Sequence, residues 1–153
     1  MGRWVPDIFV DADGCPVVSI IIDTAKQYGL KVYLICDTSH LIQREGAETI
    51  TVSKGSDAAD FVLVNRMQKG DIVVTQDYGL AAMVLAKQGY AIDQNGRFYT
   101  PENMDQLLGF RHISKKARQA GQRMKGPKKR QKESDMLFKE RFIQLIEKVI
   151  SEG

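Results

Sequence analysis

The sequence predicts an α/β fold: a three-layer α/β/α sandwich on a mostly parallel, Rossmann-like sheet, with a helical and basic C-terminal extension. Three observations predict it. Short apolar runs alternate with helix-period segments, the pattern of βαβ units. Several of these runs are apolar throughout, as in strands covered on both faces. Glycines stand where the helical patterns stop.

The first apolar run, Ile8–Val10, ends at Asp11. Pro16 is suited to a helix's first turn. Val17, Val18, Ile20, Ile21, Ile22, Ala25 and Tyr28 then give a broad apolar face that Gly29 terminates. Lys31–Cys36 is a strand of β-formers ending before Asp37, and a short helix is expected over Ser39–Glu45. Glu48–Ser53 reads as the third strand. Ala58–Gln68 reads as a helix with Phe61, Val62, Val64 and Met67 apolar. Asp71–Thr75 is a near-continuous apolar strand just before Asp77, followed by a helix over Leu80–Gln88 that Gly89 stops. Tyr90–Asp93, a turn at Asn95-Gly96 and Arg97–Tyr99 suggest a closing hairpin.

After residue 100 the pattern changes. Pro101 opens a helix carrying Met104, Leu107, Leu108 and Phe110, and a basic, Gly- and Pro-interrupted stretch follows. Ser134 or Asp135 is placed to cap a last helix. Its residues Phe138, Phe142, Leu145, Ile146 and Val149 fall on one stripe, so it should pack back on the body. The expected organisation is one domain over 1–153: an α/β core to residue 100, a basic helix-loop segment over 101–133 and a packing helix over 134–153.

The mean charge hides a division. The 153 residues carry a formal net charge of +3. Residues 1–105 hold 9 basic and 14 acidic side chains, while residues 106–132 hold 10 basic and none acidic. No apolar run reaches the roughly 18 residues of a membrane span, and the N-terminus lacks a signal-peptide pattern. A cytoplasmic protein is expected. Two cysteines at no metal-type spacing and two histidines exclude a disulfide scaffold and a His-rich zinc site. Neither a GxGxxG nor a Walker A pattern is present.

The aspartates carry the chemistry. Asp11, Asp37 and Asp77 each follow the end of a predicted strand, and Asp13 lies two residues after Asp11. In an open parallel sheet, ligands bind in the crevice outside those strand ends. Asp57 and Asp60 open the helix whose N-terminus faces the same edge. Clustered carboxylates repel unless a cation or protons intervene, and such oxygen ligands suit Mg²⁺ or Mn²⁺. Four of these aspartates also have a plainer role, whereas a turn needs neither Asp11 nor Asp77 in particular. Asp57 and Asp60 have the spacing of a helix cap, Asp13-Gly14 makes a turn, and Asp37 can cap. Cys15 reads as a small buried side chain, and Thr38, Ser56 and Thr75 bind phosphate or water, or end strands and cap helices.

Ten cations over 27 residues without an anion suit counterion release from a phosphate backbone. The candidates are Lys115, Lys116, Arg118, Arg123, Lys125, Lys128, Lys129, Arg130 and Lys132. With almost no aromatics interleaved, they would hold backbone and not stack on bases.

The segments FVDADGCPV (9–17), GSDAADF (55–61), GDIVVTQDYGLA (70–81) and RQAGQRMKGPKKR (118–130) together resemble the uncharacterised YaiI/YqxD family, assigned to the PIN-like group of folds. The resemblance covers nearly the whole chain. It implies a PIN-like sandwich, often a Mg²⁺- or Mn²⁺-dependent ribonuclease. Asp11, Asp60 and Asp77 would be its catalytic, metal-holding residues, with Asp13 and Asp57 as helpers. A further acidic residue usual just after the fourth strand's aspartate is missing: Tyr78, Gly79, Leu80 and Ala81 follow Asp77. The leading expectation is a metal-dependent phosphodiester hydrolase acting on RNA through backbone contacts. One alternative is a non-catalytic RNA- or ribosome-binding module. Another is a phosphatase of the haloacid-dehalogenase type, with Asp11 as nucleophile and Asp13 as general acid/base.

Overall fold

The computed structural model describes residues 4–37, 42–53, 58–104 and 130–152. Six strands form one sheet: β1 (Ile8–Asp11), β2 (Val32–Asp37), β3 (Glu48–Val52), β4 (Ile72–Val74), β5 (Tyr90–Ile92) and β6 (Phe98–Tyr99). Their order is β3-β2-β1-β4-β5-β6. All neighbours are parallel except β5 and β6, which close the sheet as the expected hairpin. The chain runs outward from β1 to β3, then crosses back over β1 to begin β4. The direction of winding therefore reverses between β1 and β4, and the crevice at that reversal is where open α/β sheets bind ligands.

The pleat sorts the strand residues onto two faces. Ile8, Val10, Leu34, Cys36, Ile72, Val74 and Ile92 join one core. Phe9, Ile35, Val73 and Ala91 join the other. Helices α1 (Val18–Tyr28) and α4 (Lys132–Glu152) cover the first face. Helices α2 (Ala58–Arg66) and α3 (Tyr78–Ala86) cover the second. The sandwich is thus three layers deep, as the alternation predicts. The α4 stripe holds too: Phe138, Phe142, Leu145, Ile146 and Val149 are all buried against the first face. Each such apolar side chain contributes roughly 1.5–3 kcal/mol when fully buried.

Local differences from expectation have physical causes. Pro16 lies in a turn that precedes α1, so it redirects the chain and does not sit inside the helix. Gly29 ends α1 in the left-handed conformation, φ 70°, with its N–H bonded back into the last turn. The helix expected over Ser39–Glu45 is not helical over 42–45, and its first part lies outside the described residues. There the chain turns at Gly46, and the Thr49 hydroxyl donates to the Ile42 carbonyl. In α2 it is Leu63 that is buried, while Phe61 is 57% exposed. Helix α3 starts two residues early, because Asp77 caps it. Gln88 takes the positive φ after α3, and a Cβ at Gly89 would crowd Val84 Cγ1 at 3.0 Å and the Asp71 carbonyl at 3.2 Å. Helix α4 begins at Lys132, ahead of the expected caps Ser134 and Asp135. After Pro101 a helical turn covers 101–104, and the rest of that predicted helix lies outside the described residues. No described helix is long and apolar enough to cross a membrane.

Candidate metal site at the sheet reversal

The carboxylates meet at the C-terminal ends of β1 and β4. Strand β1 ends in Asp11, and the turn after it carries Asp13, with Gly14 at φ 72° and Cys15 N–H bonded to the Ala12 carbonyl at 3.1 Å. Strand β4 runs directly into Thr75, Gln76 and Asp77.

Thr75 joins the two ends. It is buried, and its hydroxyl donates to Asp11 Oδ2 at 2.9 Å. The same oxygen accepts the Asp77 N–H at 3.0 Å. Its carbonyl accepts the Tyr99 hydroxyl at 3.1 Å, and its N–H is held by the Ile92 carbonyl. A threonine fits here because one hydroxyl can give a proton to a carboxylate while taking one from an amide. Burial raises the Tyr99 phenol far above its usual range, with Asp93, Tyr78 and Asp77 adding and Arg97 opposing. It therefore stays a neutral donor.

Asp11 is costly to keep charged. Its carboxyl is raised above the ordinary 3.8, first by burial, then by the charges of Asp77 and Asp13, against the lowering bond from Thr75. Asp11, Asp13 and Asp77 are thus electrostatic neighbours. Asp13 Oδ2 accepts the Asp37 N–H at 3.1 Å, tying the β1 turn to the end of β2. Asp77 Oδ1 accepts from Gly79 N at 2.8 Å and Leu80 N at 3.2 Å, so this carboxylate also caps α3.

Asp11, Asp13, Gly14, Cys15, Thr75, Gln76 and Gln94 line a small cavity of ≈ 30 Å³. That is room for about one or two waters, or one small cation with part of its shell. The Cys15 thiol is raised chiefly by burial, with a backbone bond at Val17 and the charge of Arg130 opposing and Asp11 adding. A neutral thiol is a poor ligand, so the hard oxygens decide the donor chemistry. Among the described residues, no three His, Cys, Asp or Glu side chains are placed to hold a metal ion together. The arrangement fits a Mg²⁺-type cation, which is bound by one or two carboxylates and keeps several waters. It does not fit an all-protein cage.

The other predicted residues divide. Asp60 lies half-buried in the first turn of α2, the helix-capping position weighed above. Asp57, Lys115, Lys116, Arg118, Arg123, Lys125, Lys128 and Lys129 lie outside the described residues, as do Thr38 and Ser56. Lys132 is exposed at the start of α4. Arg130 differs from expectation, since its donors turn inward. Nε donates to Asp135 Oδ1 at 2.6 Å, Nη1 to Asn95 Oδ1 at 2.9 Å and Nη2 to the Gln94 carbonyl at 2.7 Å. Gln76 and Gln94 were not among the sequence candidates. Gln76 reaches the cavity because β4 lies beside β1, and Gln94 because β5 lies beside β4, and no motif announces either pairing. A larger cavity of ≈ 390 Å³ is lined by Leu85, Tyr90, Phe98, Pro101 and Leu145 among others, and by none of the predicted site residues.

Residues 9–148 match the family model described as "Uncharacterized BCR, YaiI/YqxD family". The chain belongs to the YaiI/YqxD family. A "UPF0178 protein" of Exiguobacterium sibiricum is 55% identical over 139 residues, covering 91% of this chain and 95% of that one. A second, from Clostridium acetobutylicum, is 48% identical over 141 residues with the same two coverages. A third, from Alkaliphilus oremlandii, is 50% identical over 136 residues, covering 89% and 87%. No solved structure matches the chain. The match begins at Phe9 and so takes in the whole carboxylate cavity of this YaiI/YqxD member.

Proposed function

We propose that the protein is a divalent-metal-dependent phosphodiester hydrolase acting on RNA. One observation carries this reading. At the reversal between β1 and β4, Asp11 is held half-buried beside Asp13 and Asp77, where its charge is disfavoured. A fold keeps such an arrangement at a cost in stability, and a cation relieves it.

Asp11 and Asp77 would hold Mg²⁺ or Mn²⁺, with Asp13 beside them and Asp57 and Asp60 as further candidates. The ion would supply Lewis acidity and charge stabilisation at a phosphodiester. The chain's own part is positioning. Thr75 fixes the Asp11 carboxylate, and the α3 cap fixes Asp77. The basic residues of 115–132, Arg130 apart, would hold the phosphate backbone and bring it to the carboxylates. The reading supports a wider likeness to PIN-type nucleases.

The test is cleavage of single-stranded and structured RNA with Mn²⁺, comparing the wild type with Asp11→Asn. The expected outcome is turnover that falls at least about 100-fold in the variant, the scale of losing a principal electrostatic contact. Equal cleavage by both proteins rejects the assignment.

A second reading has its own observation. Asp77 Oδ1 is already engaged in capping α3, which suits a non-catalytic RNA- or ribosome-binding module. RNA binding that weakens steeply with salt, needs no metal and gives no turnover would favour it. A phosphatase of the haloacid-dehalogenase type would instead show beryllofluoride trapped on Asp11.

A further inference from the structure

Arg130 lies near the end of the basic segment, and its guanidinium bonds through all three nitrogens. Its three nitrogens reach two different elements. Nη1 and Nη2 grip Asn95 and Gln94 in the β5–β6 turn, and Nε pairs with Asp135 in the first turn of α4. The turn it grips is already stiff within itself. Asp93 Oδ1 accepts from both Asn95 N at 2.8 Å and Arg97 N at 2.9 Å, and Gly96 carries a positive φ of 88°. A stiff turn moves as a body, so its placement depends on what holds it from outside. Gln94 is the residue of that turn that lines the carboxylate cavity with Asp11 and Asp13. The wall of the cavity is therefore held from behind by Arg130. The guanidinium suits this, since its planar fork spreads donors over three nitrogens and so spans acceptors on two elements, where an ammonium's donors radiate from a single nitrogen.

We propose that Arg130 is a positioning residue for the carboxylate cavity: by gripping residues 94 and 95 it fixes the Gln94 wall and so sets how tightly a divalent cation is held there. The proposal rests on reading the cavity as a cation site.

The experiment is a Mn²⁺ titration of the full-length chain, read by the electron paramagnetic resonance signal of free Mn²⁺. The proteins are wild type, Asp11→Asn, Gln94→Ala, Arg130→Met, and Gln94→Ala with Arg130→Met. Each is checked for folding by thermal melt. Arg130→Met should weaken Mn²⁺ binding roughly tenfold, the low end of outer-shell effects. Gln94→Ala should weaken it comparably, and the double variant no further than the worse single one, because Arg130 acts through Gln94. A purely structural Arg130 would lower the melting temperature and leave the Mn²⁺ affinity unmoved, which overturns the proposal. Additive losses overturn it too, as does weaker RNA binding at unchanged Mn²⁺ affinity, which would make Arg130 a phosphate contact. If Arg130→Met does not fold, Arg130→Lys carries the same comparison, retaining the charge without the fork. Wild-type binding that Asp11→Asn does not weaken would instead bring down the cation reading itself, and this proposal with it.

Discussion

Two aspartates at opposite ends of the sheet separate structural from functional charge. Asp71 lies just before β4 and Asp11 at the end of β1. Burial raises both carboxyls above their ordinary range. Their partners differ. Asp71 Oδ1 accepts the Asp7 N–H at 3.0 Å and Oδ2 the Gln68 N–H at 2.8 Å, so both oxygens satisfy backbone donors that would otherwise be stranded. Asp11 receives one hydroxyl and faces two more carboxylates. Burial alone therefore says little about role. What surrounds the buried charge says more, because donors make it a brace while like charges make it a site awaiting a cation.

Substitutions can break this contrast. The largest effect should come from Asp71→Ala, which leaves two backbone N–H groups without their acceptor and costs roughly 2–4 kcal/mol, measured by urea denaturation. Thr75→Val comes next. It removes the donor to Asp11 and the acceptor of the Asp77 N–H, for a loss of about 1–2 kcal/mol. The same melts should show a steeper dependence on pH, because the one bond that lowers the Asp11 carboxyl is gone. Asp11→Asn should be smallest and opposite in sign, a gain in stability near neutral pH read from the same denaturation curves. The sign follows from the raised carboxyl. Its protonated form suits the folded chain, so its contribution to stability is full below the unfolded value near 3.8 and is lost as pH rises through the folded one. The gain from asparagine should accordingly fade below about pH 4. If Asp11→Asn destabilises at neutral pH as Asp71→Ala does, the two ends of the sheet are alike and the contrast collapses.

The sequence made the layers legible because burial on two faces writes itself as uninterrupted apolar runs, as in Ile72–Val74. The α4 stripe was legible for a similar reason, since five positions at helical spacing leave little choice. The strand-end aspartates were legible because a parallel sheet puts every strand's C-terminal end on one edge. Strand order was not, since nothing local says that β4 lies beside β1. Gln94 and Gln76 were missed for that reason. The dual duty of Asp77 was weighed for other aspartates and not for this one. The inward bonds of Arg130 were not legible because a charge run reads as uniform, whereas its last arginine meets Asn95, 35 residues upstream.

Helix α4 has a consequence for how the chain is made. The first face of the sheet is sealed by Phe138, Phe142, Leu145, Ile146 and Val149, which leave the ribosome after every strand of the sheet. Until they emerge, Ile8, Val10, Leu34 and Val74 share that face with α1 alone. The sheet can pair early, but its covering waits for a helix made after all six strands. A nascent chain stalled before residue 138 would show bare apolar sheet to chaperones and to other nascent chains.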